Sequence, residues 1–163
     1  MDGQRFCGLP ETLVLDATVS RRAPHARWRV DGNPPGITRD QLRHVVADAM
    51  GAWASVAGVT AEETPSAQAD LVVTAARLDG GLGVLAQCEL PGPPQQRCWV
   101  DTSEAWVIDL GNDVPRGKLD IQRVLTHELA HFWGVGHIGD GNLMAPVYSV
   151  QIDGPRVGDI AEM

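Results

Sequence analysis

The eleven residues His127-Glu128-Leu129-Ala130-His131-Phe132-Trp133-Gly134-Val135-Gly136-His137 constrain this chain more than any other stretch. On a helix, His127 and His131 lie four residues apart, so both rings leave the same face one turn apart and can grip one ion. Glu128 lies next to the first of them and can reach a water on that ion without being a ligand. Gly134 tolerates the left-handed conformation that ends a helix, which lets the chain double back. His137 then arrives from outside the helix as a third nitrogen. Three imidazoles and one open position make the donor set of a catalytic zinc, whereas a structural zinc is closed by four protein ligands. The bland alternative is a set of histidines that decorate a helix.

Asn142-Leu143-Met144-Ala145-Pro146-Val147-Tyr148 follows at close range. The long histidine signature with this Leu-Met-x-Pro-x-Tyr stretch resembles the matrixins, the matrix-metalloproteinase branch of the metzincin zinc peptidases. The resemblance implies one catalytic Zn2+ held by His127, His131 and His137, with Glu128 as the general base. It makes Met144 the methionine turn beneath the metal, where the residue alone would read as ordinary core packing. It also makes Pro146, Val147 and Tyr148 the wall of the pocket for the substrate side chain just past the scissile bond. Residues 149–158 would then size that pocket.

Residues 1–27 lack a helical or strand period and are expected to form an extended leader ahead of a catalytic domain over 28–163. Within the leader, Arg5-Phe6-Cys7-Gly8-Leu9-Pro10-Glu11 resembles the switch segment of matrixin propeptides, in which a cysteine thiolate occupies the zinc. Here Phe6 intervenes between arginine and cysteine, and the acid is Glu11 rather than Asp. A zinc-bound thiol gives up its proton and is a strong fourth ligand. On that reading the chain is latent, and cleavage near Arg21-Arg22 is one way to release it. The alternative is an incidental cysteine in a flexible tail.

Trp28-Arg29-Val30 reads as a first strand, followed by a turn-rich Asp31–Gly36 segment. Thr38 and Gln41 form a capping box. Behind it Leu42, Val46, Ala49, Trp53 and Val56 recur at three- and four-residue steps, which predicts a long helix ending near Gly58. His44 falls off this face and reads as solvated. Val59–Glu63 and Ala69–Ala75 read as strands, the second a nearly continuous apolar run as expected for a strand buried on both faces. A glycine loop then leads to a strand over Gly83–Gln87. By the matrixin likeness, Val84, Leu85 and Ala86 would offer backbone groups to an extended peptide; the residues alone fit an ordinary edge strand equally well. The histidine helix is expected to start near Lys118, with Ile121, Val124 and Leu125 as its core stripe. Asp159–Met163 resembles the first turn of the last matrixin helix, here cut short.

Two departures from the family follow. Gln87 and Trp99 stand where matrixins carry histidines for a second, structural zinc, so that zinc is not expected. Cys88 and Cys98 flank those positions, and a disulfide between them would brace the two strands, closing a loop of about ten residues and contributing on the order of 2–3 kcal/mol. Two free thiols are the alternative, favoured by a reducing compartment. Asp79, Asp101 and Glu104 match the carboxylates that hold calcium in matrixins, and hard carboxylate oxygens suit that ion; solvated loop acids are the other reading.

The expected fold is α/β (α+β in the metzincin manner): a twisted, mostly parallel five-stranded sheet with an antiparallel edge strand, backed by a long helix and the active-site helix. At 163 residues the chain is long enough to bury a real core. Its net charge of −8 argues against nucleic acid or an anionic membrane as partner. No run of 18 apolar residues offers a membrane span, and the N-terminus has no signal-peptide core, so a signal has been removed or the protein is not exported. The expected protein is a secreted, monomeric zinc endopeptidase acting on protein or peptide substrates. A metal-binding domain that does not turn over is the competing reading.

Overall fold

The computed structural model describes residues 7–9, 23–108, 111 and 113–163. Arg5, Phe6, Pro10, Glu11 and the Arg21-Arg22 pair lie outside the described residues, as do Asp109 and Leu110.

Strand β1 spans His25–Val30, β2 Thr60–Glu63, β3 Leu71–Ala76, β4 Ala86–Cys88 and β5 Gln96–Asp101. They form one sheet in the order β2-β1-β3-β5-β4. Every pairing is parallel except β4 against β5, so the antiparallel strand lies at the edge, as expected. Strand β1 begins at His25 rather than Trp28, inside the span expected as leader, because His25, Ala26 and Arg27 pair with Thr60, Ala61 and Glu62. A partner 35 positions away leaves no local trace in the sequence. The edge strand is shorter than expected and shifted toward Cys88, since the loop before it is tied down by acids discussed below. In β3 only Leu71, Val72 and Val73 are buried, while Thr74, Ala75 and Ala76 are half-buried.

Helix α1 spans Arg39–Ala57. Thr38 Oγ1 accepts from Gln41 N and Gln41 Oε1 accepts from Thr38 N, completing the predicted capping box. Gly58, at φ 66°, ends it. Its buried stripe is Leu42, Val45, Val46, Ala49, Met50 and Trp53. Val56, expected on that stripe, is 41% exposed, because in the last turn Ala57, four residues after Trp53, takes the core-facing position instead. His44 is exposed, with Nδ1 2.7 Å from Asp40 O.

Two short strands, β6 (Trp106–Val107) and β7 (Leu119–Asp120), pair in parallel and deliver the chain to helix α2, Ile121–Trp133. This helix starts three residues later than expected, because Asp120 is its N-cap and accepts from Gln122 N. Helix α1 packs over β1 and β2, α2 over β4 and β5, and the helices pack against each other. Trp53, fully buried, spans that junction and donates from Nε1 to Thr126 O at 2.7 Å. A last helix, α3, spans Val157–Ala161. No helix among the described residues is long and apolar enough to cross a membrane.

Candidate metal centre

Helix α2 is buried along almost its whole length, because the sheet lies on one side and α1 and the segment after Gly134 cover the others. His127 and His131 therefore point into protein rather than solvent. Gly134 sits at φ 94° and donates to the carbonyls of Ala130 and His131, closing the helix. The reversal brings Val135 O to 2.6 Å from His131 Nδ1, and Leu143 O lies 2.8 Å from His127 Nδ1. Each carbonyl accepts a hydrogen bond from Nδ1–H, so each ring carries its lone pair on Nε2. The two Nε2 atoms are 3.2 Å apart. His137 completes the triangle, with ring centroids 5.4 Å from His127 and 4.9 Å from His131.

Cys7 joins them. Its Sγ is 3.4 Å from His131 Nε2. Cys7, His127, His131 and His137 each offer one donor atom, and these lie within 4.8 Å of one another, the single such cluster among the described residues. Two nitrogens each about 2.05 Å from a tetrahedral zinc lie about 3.3 Å apart, so the observed spacing fits that ion. Two facing lone pairs also repel unless a cation lies between them. Fit and chemistry agree.

Burial sets the charge state. It lowers His127 to about 4, and it lowers His131 well below the ordinary 6.5, so both rings are neutral and ready to ligate at neutral pH. Burial, and then the charge of Glu128, raise the Cys7 thiol. Glu128 itself is 1% exposed, and burial lifts it to about 8 in the metal-free molecule. Its Oε1 is 4.0 Å from His127 Nε2, and its Oε2 is buried without a partner, which places an acceptor beside the cluster.

Cys7 and Gly8 lie in the cleft beside this cluster. Gly8 N donates to Ala86 O at 2.9 Å on the edge strand, and Cys7 N donates to Pro146 O at 3.4 Å on the opposite wall. A Cβ on Gly8 would fall 2.7 Å from Gln87 Cβ, so only glycine fits. Of the three edge residues singled out in the sequence, Ala86 turns its carbonyl to the cleft. The Leu85 carbonyl accepts from Asp101 N inside the sheet, and Val84 N donates to Asp79. Leu85 instead lends its side chain to a pocket that also takes in Val124, Pro146, Val147 and Tyr148.

Met144 is fully buried, and its turn is held by a residue that sequence reading missed. The buried carboxylate of Asp159 accepts from Leu143 N at 2.9 Å, Met144 N at 2.8 Å and Arg156 N at 2.6 Å. The only sequence signal was an acid near the start of a short helix.

Cys88 and Cys98 stand directly opposite each other, buried, in the antiparallel register, and both are free thiols. Neighbouring residues carry the ladder bonds (Glu89 N to Arg97 O, Asp101 N to Leu85 O). The cysteines thus form a non-hydrogen-bonded pair, the closer of the two antiparallel spacings. Asp79, Asp101 and Glu104 surround one loop and accept from its backbone: Val84 N to Asp79, Ser103 N and Asp79 N to Asp101, Leu82 N to Glu104. Their oxygens do not form a tight cluster like that of Cys7 and the histidines.

Comparison with known proteins agrees with this geometry. The chain is 27% identical to interstitial collagenase of Sus scrofa over 158 residues, covering 89% of this chain and 32% of that protein. It is 28% identical to matrix metalloproteinase-25 of Homo sapiens, covering 91% and 31%, and 31% identical to metalloendoproteinase 4-MMP of Arabidopsis thaliana, covering 63% and 32%. It spans about a third of the length of these relatives. The family model described as matrixin matches residues 20–158. That span takes in every strand and both long helices, and on that ground the chain belongs to the matrixin family.

Proposed function

We propose that this chain is a zinc-dependent endopeptidase in a latent state, with Cys7 as the fourth zinc ligand beside His127, His131 and His137. The observation that carries the reading is the pair of Nε2 atoms 3.2 Å apart, each with its Nδ1 committed to a carbonyl. A zinc ion held there supplies Lewis acidity that polarises a peptide carbonyl and acidifies the attacking water. Glu128 Oε2 takes the water's proton and passes it to the leaving amine. The Ala86 carbonyl and the wall at Pro146 orient an extended peptide, as they now hold Gly8 and Cys7. Met144 provides an apolar floor and takes no part in bond making.

Latency is supported by the same contacts, since Cys7 and Gly8, bonded to both walls of the cleft, stand where an extended substrate would. The substrate class is protein or peptide, and an extracellular setting would favour a Cys88–Cys98 disulfide, which thiol counting on the denatured protein would detect. Calcium at Asp79, Asp101 and Glu104 remains an expectation, and a rise in melting temperature on adding calcium to the zinc form would reveal it. Metal analysis should return one zinc per chain.

The test is Glu128→Ala in a Cys7→Ser background. Zinc should remain bound at one per chain while casein cleavage drops at least a hundredfold. Cleavage at the parent rate would remove Glu128 from its role.

A further inference from the structure

Cys88 and Cys98 are fully buried nucleophiles that peptide hydrolysis does not use. They face each other across β4 and β5 at a non-hydrogen-bonded position, where opposed Cα atoms stand about 4.5 Å apart. That lies within the roughly 4.4–6.8 Å that a disulfide spans. The two thiols are hydrogen-bonded to each other. Burial pushes the Cys88 thiol up, and the bond to Cys88, then burial, push up Cys98. A protonated, enclosed thiol does not attack a disulfide. Strand β4, which encloses the pair, is three residues long and lies at the sheet edge. On its free edge Gly8 N donates to Ala86 O, with Gly8 tight against Gln87. The Cys88 N–H, on the same free edge, faces the Glu128 carboxylate.

We propose that Cys88 and Cys98 are a redox-modification site gated by the cleft: with Cys7 and Gly8 seated the pair stays a dithiol, and once they leave it closes to a disulfide that clamps the edge strand. This rests on the reading of Cys7 and Gly8 as a latency device. Their departure removes the Gly8 bond from a three-residue edge strand, so β4 opens more often and admits a small oxidant. The oxidant is a low-molecular-weight disulfide of the oxidised-glutathione class. One cysteine thiolate attacks a glutathione sulfur, the glutathione S–S bond breaks, and one glutathione leaves as thiolate. The second cysteine attacks the mixed disulfide and expels the other glutathione. Two protein thiols are oxidised, and one glutathione disulfide takes up their two electrons and two protons to become two thiols. The product ties β4 to β5 in its present register. Ala86 O, two residues from the crosslink, is then held for an extended peptide without the bond from Gly8. An oxidising compartment favours the same disulfide, and the gate makes it form after release rather than before.

The test uses the full zinc-loaded chain carrying Glu128→Gln, which prevents self-digestion, with and without Cys7→Ser and Gly8→Ala to unseat the cleft residues. Each chain is incubated with oxidised glutathione, quenched in acid, alkylated and mapped by mass spectrometry. The Cys88–Cys98 crosslink should form at least tenfold faster in the unseated chain, raise its melting temperature by about 5 °C and revert with dithiothreitol. Val46→Ala in the seated chain destabilises the core without touching the cleft, and its crosslink should form as slowly as the parent's. Equal rates in the seated and unseated chains, or a fast Val46→Ala chain, overturn the gate. No crosslink in either, or stable glutathione adducts in its place, overturns the modification site. A crosslink that fails to raise the melting temperature overturns the clamp. Gated oxidation together with no peptide cleavage by the Cys7→Ser chain would keep the redox site and sink the peptidase reading instead.

Discussion

His127 and His131 present bare Nε2 atoms to each other at 3.2 Å, because the carbonyls of Leu143 and Val135 hold the proton of each ring on the far side. A metal-free chain keeps this geometry only against lone-pair repulsion. Chelation should therefore cost much of the stability: zinc at a thousand times its dissociation constant contributes about 4 kcal/mol. For a domain of this size that is about 10 °C in melting temperature. An unchanged melting temperature after complete chelation would mean the histidines hold no metal.

With cobalt in place of zinc, the intact chain should show a near-ultraviolet sulfur-to-metal charge-transfer band, and Cys7→Ser should lack it. Gly8→Ala should weaken the band as well, since the new methyl meets Gln87 on the edge strand and pushes the leader out of the cleft. Alkylation of Cys7 in that variant should accelerate at least tenfold with metal still bound. A band that survives Cys7→Ser would assign the sulfur elsewhere.

Asp159 accepts three backbone N–H groups with one carboxylate. Asp159→Ala strands two buried amides of the methionine turn and should destabilise the fold by about 3 kcal/mol. Asp159→Asn keeps the shape and one acceptor, and should cost about half as much. Chemical denaturation of the zinc form measures both, and a neutral Asp159→Ala would show that the turn is held by packing alone.

In the metal-free chain two opposed titrations set a stability optimum. His127 and His131 stay neutral when folded but take up protons at the ordinary 6.5 when unfolded, so stability falls as pH drops below 6.5. Glu128 keeps its proton up to about 8 when folded but loses it near 4.5 when unfolded, so stability falls as pH rises through that interval. Between 4.5 and 6.5 two imidazoles oppose one carboxyl, leaving a net gain of about 1.4 kcal/mol per pH unit as pH rises. Above 6.5 only the carboxyl remains and the sign reverses. Melting of the chelated protein should peak near pH 6.5, and Glu128→Gln should flatten the alkaline limb. A monotonic profile through that range would contradict the assigned charge states.

What the sequence disclosed followed from local periodicity. The capping box at Thr38, the stop at Gly134 and the four-residue histidine spacing are short-range features, and each appears in the structure where expected. What it concealed depends on residues far apart in the chain. His25 joins β1 because of Thr60, and Val56 leaves the core because Ala57 faces it instead. Arg123 looks like any basic residue on an amphipathic helix until the fold buries it against Asp120. Asp159 acquires its role only when the chain returns beneath Met144. The cysteine leader falls between these cases: the likeness suggested its partner, and only the three-dimensional path shows Gly8 bonded to Ala86.

The peptide unit of Leu143 is claimed from both ends: its N–H goes to Asp159 and the carbonyl of the same residue goes to the His127 ring. Ordering of the final short helix and occupancy of the ion are therefore one coupled equilibrium. Loading the metal should slow deuterium uptake in residues 157–163, and proteolytic trimming of that tail should loosen the ion's hold.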